Sequence, residues 1–161
     1  MSKAFAPGES DSDEERDIIK APVLPPGVRN YITPAGAEQL EAERERLIAQ
    51  KAALGEESLE SKPRRRVLDR KIDFLNERLN RAQIINPSAQ PKDRVLFGAE
   101  VTIRDQQEKR QVWRIVGVDE MNLDKGWVSW LSPIAAALLE KKVGETAILG
   151  DRKMTVIKIL Y

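Results

Sequence analysis

The sequence predicts an α+β fold in which helices and strands are segregated along the chain. Three observations carry this: two Leu-rich stretches with heptad spacing either side of a short break, a change to period-two alternation near residue 94, and one Ser-Pro helix signal among the strands. The helical part is expected to be an antiparallel coiled-coil hairpin. The rest is expected to be an antiparallel β-sheet domain with one short helix.

Residues 1–30 read as an acidic, Pro-containing disordered tail. Glu9, Asp11, Asp13, Glu14, Glu15 and Asp17 crowd together, then Pro22, Pro25, Pro26 and Gly27 oppose regular structure. An acidic contact to a basic partner surface is the sharper use of the same residues.

Residues 31–85 form the expected hairpin. Thr33 is an N-cap candidate and Pro34 suits the first helical position, where its missing N–H costs nothing. Leu40, Leu47 and Leu54 follow seven apart, with Ala37 in the other seam and Arg44 and Lys51 interrupting it. So narrow a stripe asks for one partner helix. Residues 55–61 break the pattern and Pro63 opens a second helix, in which Leu68, Ile72, Leu75, Leu79 and Ala82 alternate spacings of four and three, widened by Val67 and Phe74. Matching seams and a short break fold the helices back on each other, at about twenty residues or roughly 30 Å per arm.

Residues 86–93 read as a Pro-containing linker, and 94–161 as the sheet domain. Strands are expected at 94–96, 100–104, 111–118, 127–130, 146–149 and 154–160, with a helix from Ser132-Pro133 through Leu139. Wrapping the sheet on that helix would bury Val101, Ile103, Ile115, Ile134, Leu138, Leu139, Ile157 and Ile159. Trp113, Trp127 and Trp130 read as core or half-buried strand residues.

Composition restricts function. The 161 residues are 41% apolar and 33% charged, yet the net charge is only +1, so no global field draws the chain to nucleic acid or membrane. Without Cys or His there is no thiol nucleophile, thiolate metal site or imidazole base, which disfavours ordinary hydrolase chemistry. No run approaches the ~20 apolar residues that span a bilayer. A cytoplasmic protein is expected.

Several stretches, in this order, are familiar: Asn30-Tyr31-Ile32-Thr33-Pro34-Ala35-Gly36 opening the hairpin, Phe97-Gly98-Ala99, Arg114-Ile115-Val116-Gly117-Val118-Asp119-Glu120, and Ser132-Pro133-Ile134-Ala135 followed by Leu138-Leu139. Together they resemble the Gre family of bacterial transcript-cleavage factors, closer to its GreB branch, over residues 30–161. The resemblance implies an immunophilin-like C-terminal domain that grips the rim of the secondary channel of bacterial RNA polymerase. It implies a hairpin that enters that channel, where tip carboxylates help the polymerase hold a second magnesium and hydrolyse backtracked RNA. No cofactor is expected on the isolated protein; Mg2+ would be shared with the polymerase.

The tip departs from the family pattern. Gly55-Glu56 match its opening, but Leu59 stands where the second acid falls, leaving Glu57 and Glu60 at other spacings. Against the usual family hairpin this one is shorter by roughly eight residues per arm, about 12 Å of reach at 1.5 Å per residue. Glu56, Glu57 and Glu60 are the possible magnesium helpers, set against an ordinary solvated acidic loop. Lys62, Arg64, Arg65 and Arg66 are candidates for contact with RNA or the channel wall, set against a solvated helix face. Ser132, Pro133 and Ile134 are candidates for polymerase binding, set against a plain helix start.

These readings lead to a monomeric, non-enzymatic regulator of elongation that occupies the channel. An active cleavage factor is the alternative. A prolyl isomerase is remote, because few Phe and Tyr are available to line the apolar pocket it would use. Direct DNA binding is disfavoured by the charge balance.

Overall fold

The computed structural model describes residues 23–161; the acidic cluster of the tail lies outside them. The elements are β1 (Asn30–Ile32), α1 (Pro34–Ala53), α2 (Lys62–Asn80), β2 (Ala82–Ile84), β3 (Glu100–Arg104), β4 (Arg110–Val116), β5 (Trp127–Ser129), α3 (Pro133–Leu138), β6 (Thr146–Leu149) and β7 (Arg152–Leu160), with 3-10 turns at Pro87–Ala89, Val118–Glu120 and Leu123–Lys125. The fold is α+β. Two compact units share it: residues 39–80, and residues 23–38 together with 81–161.

In the first unit α1 and α2 pack along the expected seam. Leu47, Leu68 and Leu75 are buried, flanked by Leu40, Leu54, Ile72 and Phe74, and each buried Leu is worth about 1.5–3 kcal/mol. Lys51 pairs with Asp69 across the helices, and the Arg78 guanidinium lies 4.8 Å over the Phe74 ring. Gly55, at φ +69°, ends α1 in the left-handed conformation that glycine adopts without penalty.

In the second unit the sheet order is β5-β4-β3-β7-β6. The core is the inner face of this sheet closed by α3: Val101, Ile103, Ile115, Met154 and Val156 pack with Ala135 and Leu138. Trp113, Trp130, Ile134, Leu139 and Ile159 lie against it, half-buried.

The structure corrects the sequence reading at five points. The sheet is mixed, because β5 runs parallel to β4 with Arg114 opposite Trp127; the intervening residues 117–126 contain two 3-10 turns and cross over instead of closing a hairpin. Residues 94–96 are not a strand. They are a link in which Val95, fully buried, hydrogen-bonds with residues 140 and 141. Ile157 is not in the core: Val101 faces Ile159 but Ile103 faces Val156, and the extra residue in β7 reverses which side chains point inward.

The other two corrections concern the ends of the helical segment. Ala82 leaves the helical seam, since α2 stops at Asn80 and Ala82–Ile84 pairs in parallel with Asn30–Ile32. Residues 23–30, assigned by composition to the tail, pack into the second unit, where Leu24 and Asn30 are buried and Arg81 donates to the carbonyls of Pro25 (3.2 Å) and Val28 (2.8 Å).

Candidate functional site

The turn at residues 54–61 is built by two serines. Ser58 N–H donates to Ser61 Oγ (2.9 Å) and Ser61 N–H to Ser58 Oγ (3.1 Å), so two donors at the start of α2 are satisfied reciprocally. This holds the backbone while the acidic side chains point to water. Glu56, Glu57 and Glu60 are all exposed, and Leu59 between them is 91% exposed. Among the described residues no group of three acidic side chains is arranged to hold a metal ion.

Just beyond the turn, Lys62, Arg64 and Arg66 are exposed and Arg65 is half-buried. Asp69, farther along α2, is engaged by Lys51. No acidic residue occupies the first turn of α2, so cations stand at the positive end of the helix dipole, an arrangement that costs stability.

At the third predicted site, Ser132 Oγ accepts from Ala135 N–H (3.3 Å) and caps α3, with Pro133 in the first turn. Ile134 packs half-buried against the core. Pro133 and its neighbour Leu131 are the members of this corner that face solvent.

A further cluster was not singled out in the sequence, although the motifs that form it were. Residues 30–36 and 117–120 meet inside the second unit. Glu120 Oε2 accepts from the Thr33 N–H (3.1 Å) and the Gly117 N–H (3.0 Å). Glu120 Oε1 takes the Thr33 hydroxyl in a short hydrogen bond, and Thr33 Oγ1 in turn accepts from Gly36 N–H (3.1 Å), capping α1. Asn30 Nδ2 donates to Asp119 (3.0 Å). Both glycines are there for closeness: a Cβ on Gly36 would lie 2.3 Å from Glu120 Cδ, and one on Gly117 would lie 2.4 Å from the Tyr31 carbonyl oxygen. Tyr31 also stacks, tilted, on Trp130 and Phe97, with ring centroids 4.8 and 6.0 Å away. The available signal was Gly36 close behind Thr33-Pro34, and Gly117 close before Glu120.

Comparison with known proteins decides the family. Residues 90–161 match the C-terminal domain of the transcription elongation factors GreA and GreB. The chain is 32% identical over 152 residues to transcription elongation factor GreB of Yersinia pestis, covering 82% of this chain and 89% of that protein. The chain belongs to the GreA/GreB family.

GreA of Novosphingobium aromaticivorans is 38% identical, but over 63% of this chain and 66% of its own; GreB relatives align over more of the chain, and this Gre factor sits nearer that branch. Among solved structures, GreA factor homolog 1 of Thermus thermophilus is 23% identical, covering 83% of this chain and 100% of that one, at a TM-score of 0.40. The conserved-domain match takes in β3 to β7 and α3, including Ser132–Ile134 and Glu120. The Thr33 half of the joint lies before it.

Proposed function

We propose that this transcription elongation factor binds bacterial RNA polymerase at the rim of the secondary channel through its immunophilin-like C-terminal domain, using the Ser132–Ile134 corner, and tunes elongation by placing its coiled-coil hairpin in the channel. One observation carries the choice of occupancy over cleavage. The turn presents Leu59 between three exposed carboxylates that belong to no metal-holding group, on helices of only 20 and 19 residues. At 1.5 Å per residue these helices extend roughly 30 Å. A hairpin about 12 Å short of the family's usual reach cannot be rescued by rotamers at a magnesium that demands oxygens near 2.1 Å.

Lys62, Arg64, Arg65 and Arg66 give the hairpin a cationic flank for nascent RNA phosphates or an acidic channel wall. The factor performs no chemistry itself, works as a monomer in the cytoplasm, and meets magnesium only as the polymerase's own ion.

The test is RNA cleavage in stalled, backtracked elongation complexes with magnesium, comparing the wild type with a Glu56→Ala, Glu57→Ala, Glu60→Ala variant and verifying that both bind. Binding without cleavage is the expected result. Cleavage that the variant loses would instead assign the tip a role in transcript hydrolysis, and failure of both proteins to bind would overturn the polymerase reading.

A further inference from the structure

We infer that the outer face of the five-stranded sheet is a platform for single-stranded RNA. Val101 and Ile103 of β3 point into the core, so Glu100, Thr102 and Arg104 point out. Register carries that face across the sheet. Arg114, Val112 and Arg110 lie opposite these three residues on β4, and Leu160, Lys158 and Thr155 lie opposite them on β7. Lys153, on the same face of β7, is opposite Ile148 of β6. The helix α3 packs on the inner face, and on the outer one Arg110, Val112, Ile148, Lys153, Lys158 and Leu160 are all exposed.

Charge is segregated on this face although the whole chain is nearly balanced. Its strand positions on β3, β4 and β7 bring together five cations, Arg104, Arg110, Arg114, Lys153 and Lys158, and one acid, Glu100. Glu100 lies 3.8 Å from Arg114, and Glu108 reaches Arg104 from the β3–β4 turn at 3.1 Å. Both pairs are exposed at the surface, where such contacts are weak. Arg110, Lys153 and Lys158 make no ion pair among the described residues. At the edge of the face Trp127, in register with Arg114, holds the Arg114 guanidinium 5.5 Å and the Lys125 ammonium 5.0 Å from its ring centroid.

A polyanion complements such a face, and the apolar positions select which one. Val112, Leu160 and Ile148 are 51%, 45% and 64% exposed and stand among the cations. A single strand lays unpaired bases on such side chains while its phosphates meet Lys and Arg; a duplex keeps its bases inside, and an acidic peptide offers carboxylates alone. Thr102, Thr146 and Thr155 add hydroxyls to the same face, which a ribose 2′-OH can meet and a deoxyribose cannot. The platform acts without polymerase, so the inference stands apart from the polymerase reading.

The test is fluorescence anisotropy of a labelled oligouridylate with the full-length chain at about 50 mM salt. An oligomer of about twelve nucleotides suits the ~4–16 nucleotide sites of sheet-based single-strand binders. Combining Arg110→Gln, Lys153→Gln and Lys158→Gln should weaken binding about tenfold. It should also make log K against log salt shallower by about 2, the share of three phosphate contacts at roughly 0.7 each. The three side chains are exposed, and an unchanged urea midpoint verifies the fold. Amide signals of β4 and β7 should shift with RNA, and should still shift when Arg64 and Arg66 of α2 are changed to Gln. Shifts confined to residues 62–71, a sheet variant that binds like the wild type, or no binding by the wild type would overturn the platform. The matching oligodeoxyuridylate should bind several-fold more weakly; equal affinity for it, for a duplex of that length or for polyglutamate would overturn the choice of RNA.

Discussion

Replacing Glu120 with Ala tests whether one carboxylate locks the start of α1 to the sheet unit. The side chain accepts from Thr33 N–H, Thr33 Oγ1 and Gly117 N–H. Hydrogen bonds to a charged group are worth about 1.5–3 kcal/mol each, but the site is half-buried and water enters where the carboxylate leaves. A net loss of about 3 kcal/mol is expected, corresponding to a fall in Tm of roughly 12–24 °C for a domain of 60–100 residues. Glu120→Gln keeps the volume and one accepting oxygen and should lose about half as much. Urea unfolding followed by circular dichroism reads the change as a lower midpoint at unchanged slope. A loss under about 1 kcal/mol for Glu120→Ala, the size of an ordinary surface substitution, would refute the assignment of Glu120 as the clasp.

Two further substitutions probe the same unit. Gly36→Ala should destabilise by about 1–3 kcal/mol through overpacking against Glu120, although in a free helix the change gains up to about 1 kcal/mol; the penalty should vanish in the Glu120→Ala background, as a double-mutant cycle by urea unfolding would read. Tyr161 donates to the Arg94 carbonyl (2.6 Å) and accepts from Leu96 N–H (2.9 Å), so Tyr161→Phe should cost about 1–2 kcal/mol in the same assay. Burial raises the Tyr161 phenol above its ordinary value, so the folded state holds that proton more tightly than the unfolded chain. This contribution is complete below pH 10 and is lost as pH rises through the folded value. Stability titrated above pH 10 should fall less steeply in Tyr161→Phe than in the wild type.

Local rules were sufficient where each residue answers to its near neighbours. The Thr33 cap, the Leu47, Leu68 and Leu75 seam, the break at Gly55 and the Ser132 cap of α3 all follow from helix ends and heptad spacing, and the structure contains each of them. β3 and β6 coincide with their sequence-predicted bounds because alternation is local to a strand. The family too was legible, as an ordered set of motifs that the GreB relatives bear out.

What depended on partners distant in sequence was decided only by the tertiary structure. The parallel pairing of Asn30–Ile32 with Ala82–Ile84 joins segments more than fifty residues apart, and three-residue strands have no periodicity to announce them. The β7 bulge that turns Ile157 out of the core exists only in register against β3. Glu120 stood in the sequence only as the end of a family-like stretch; its role depends on Gly36 and Gly117, which allow the chain close enough for its carboxylate to reach Thr33. Sequence alone determined which segments form helices and strands, because those preferences are satisfied within a few residues. Which of them touch was settled by packing, because close approach, register and the pairing of a half-buried carboxylate are properties of two chain segments at once.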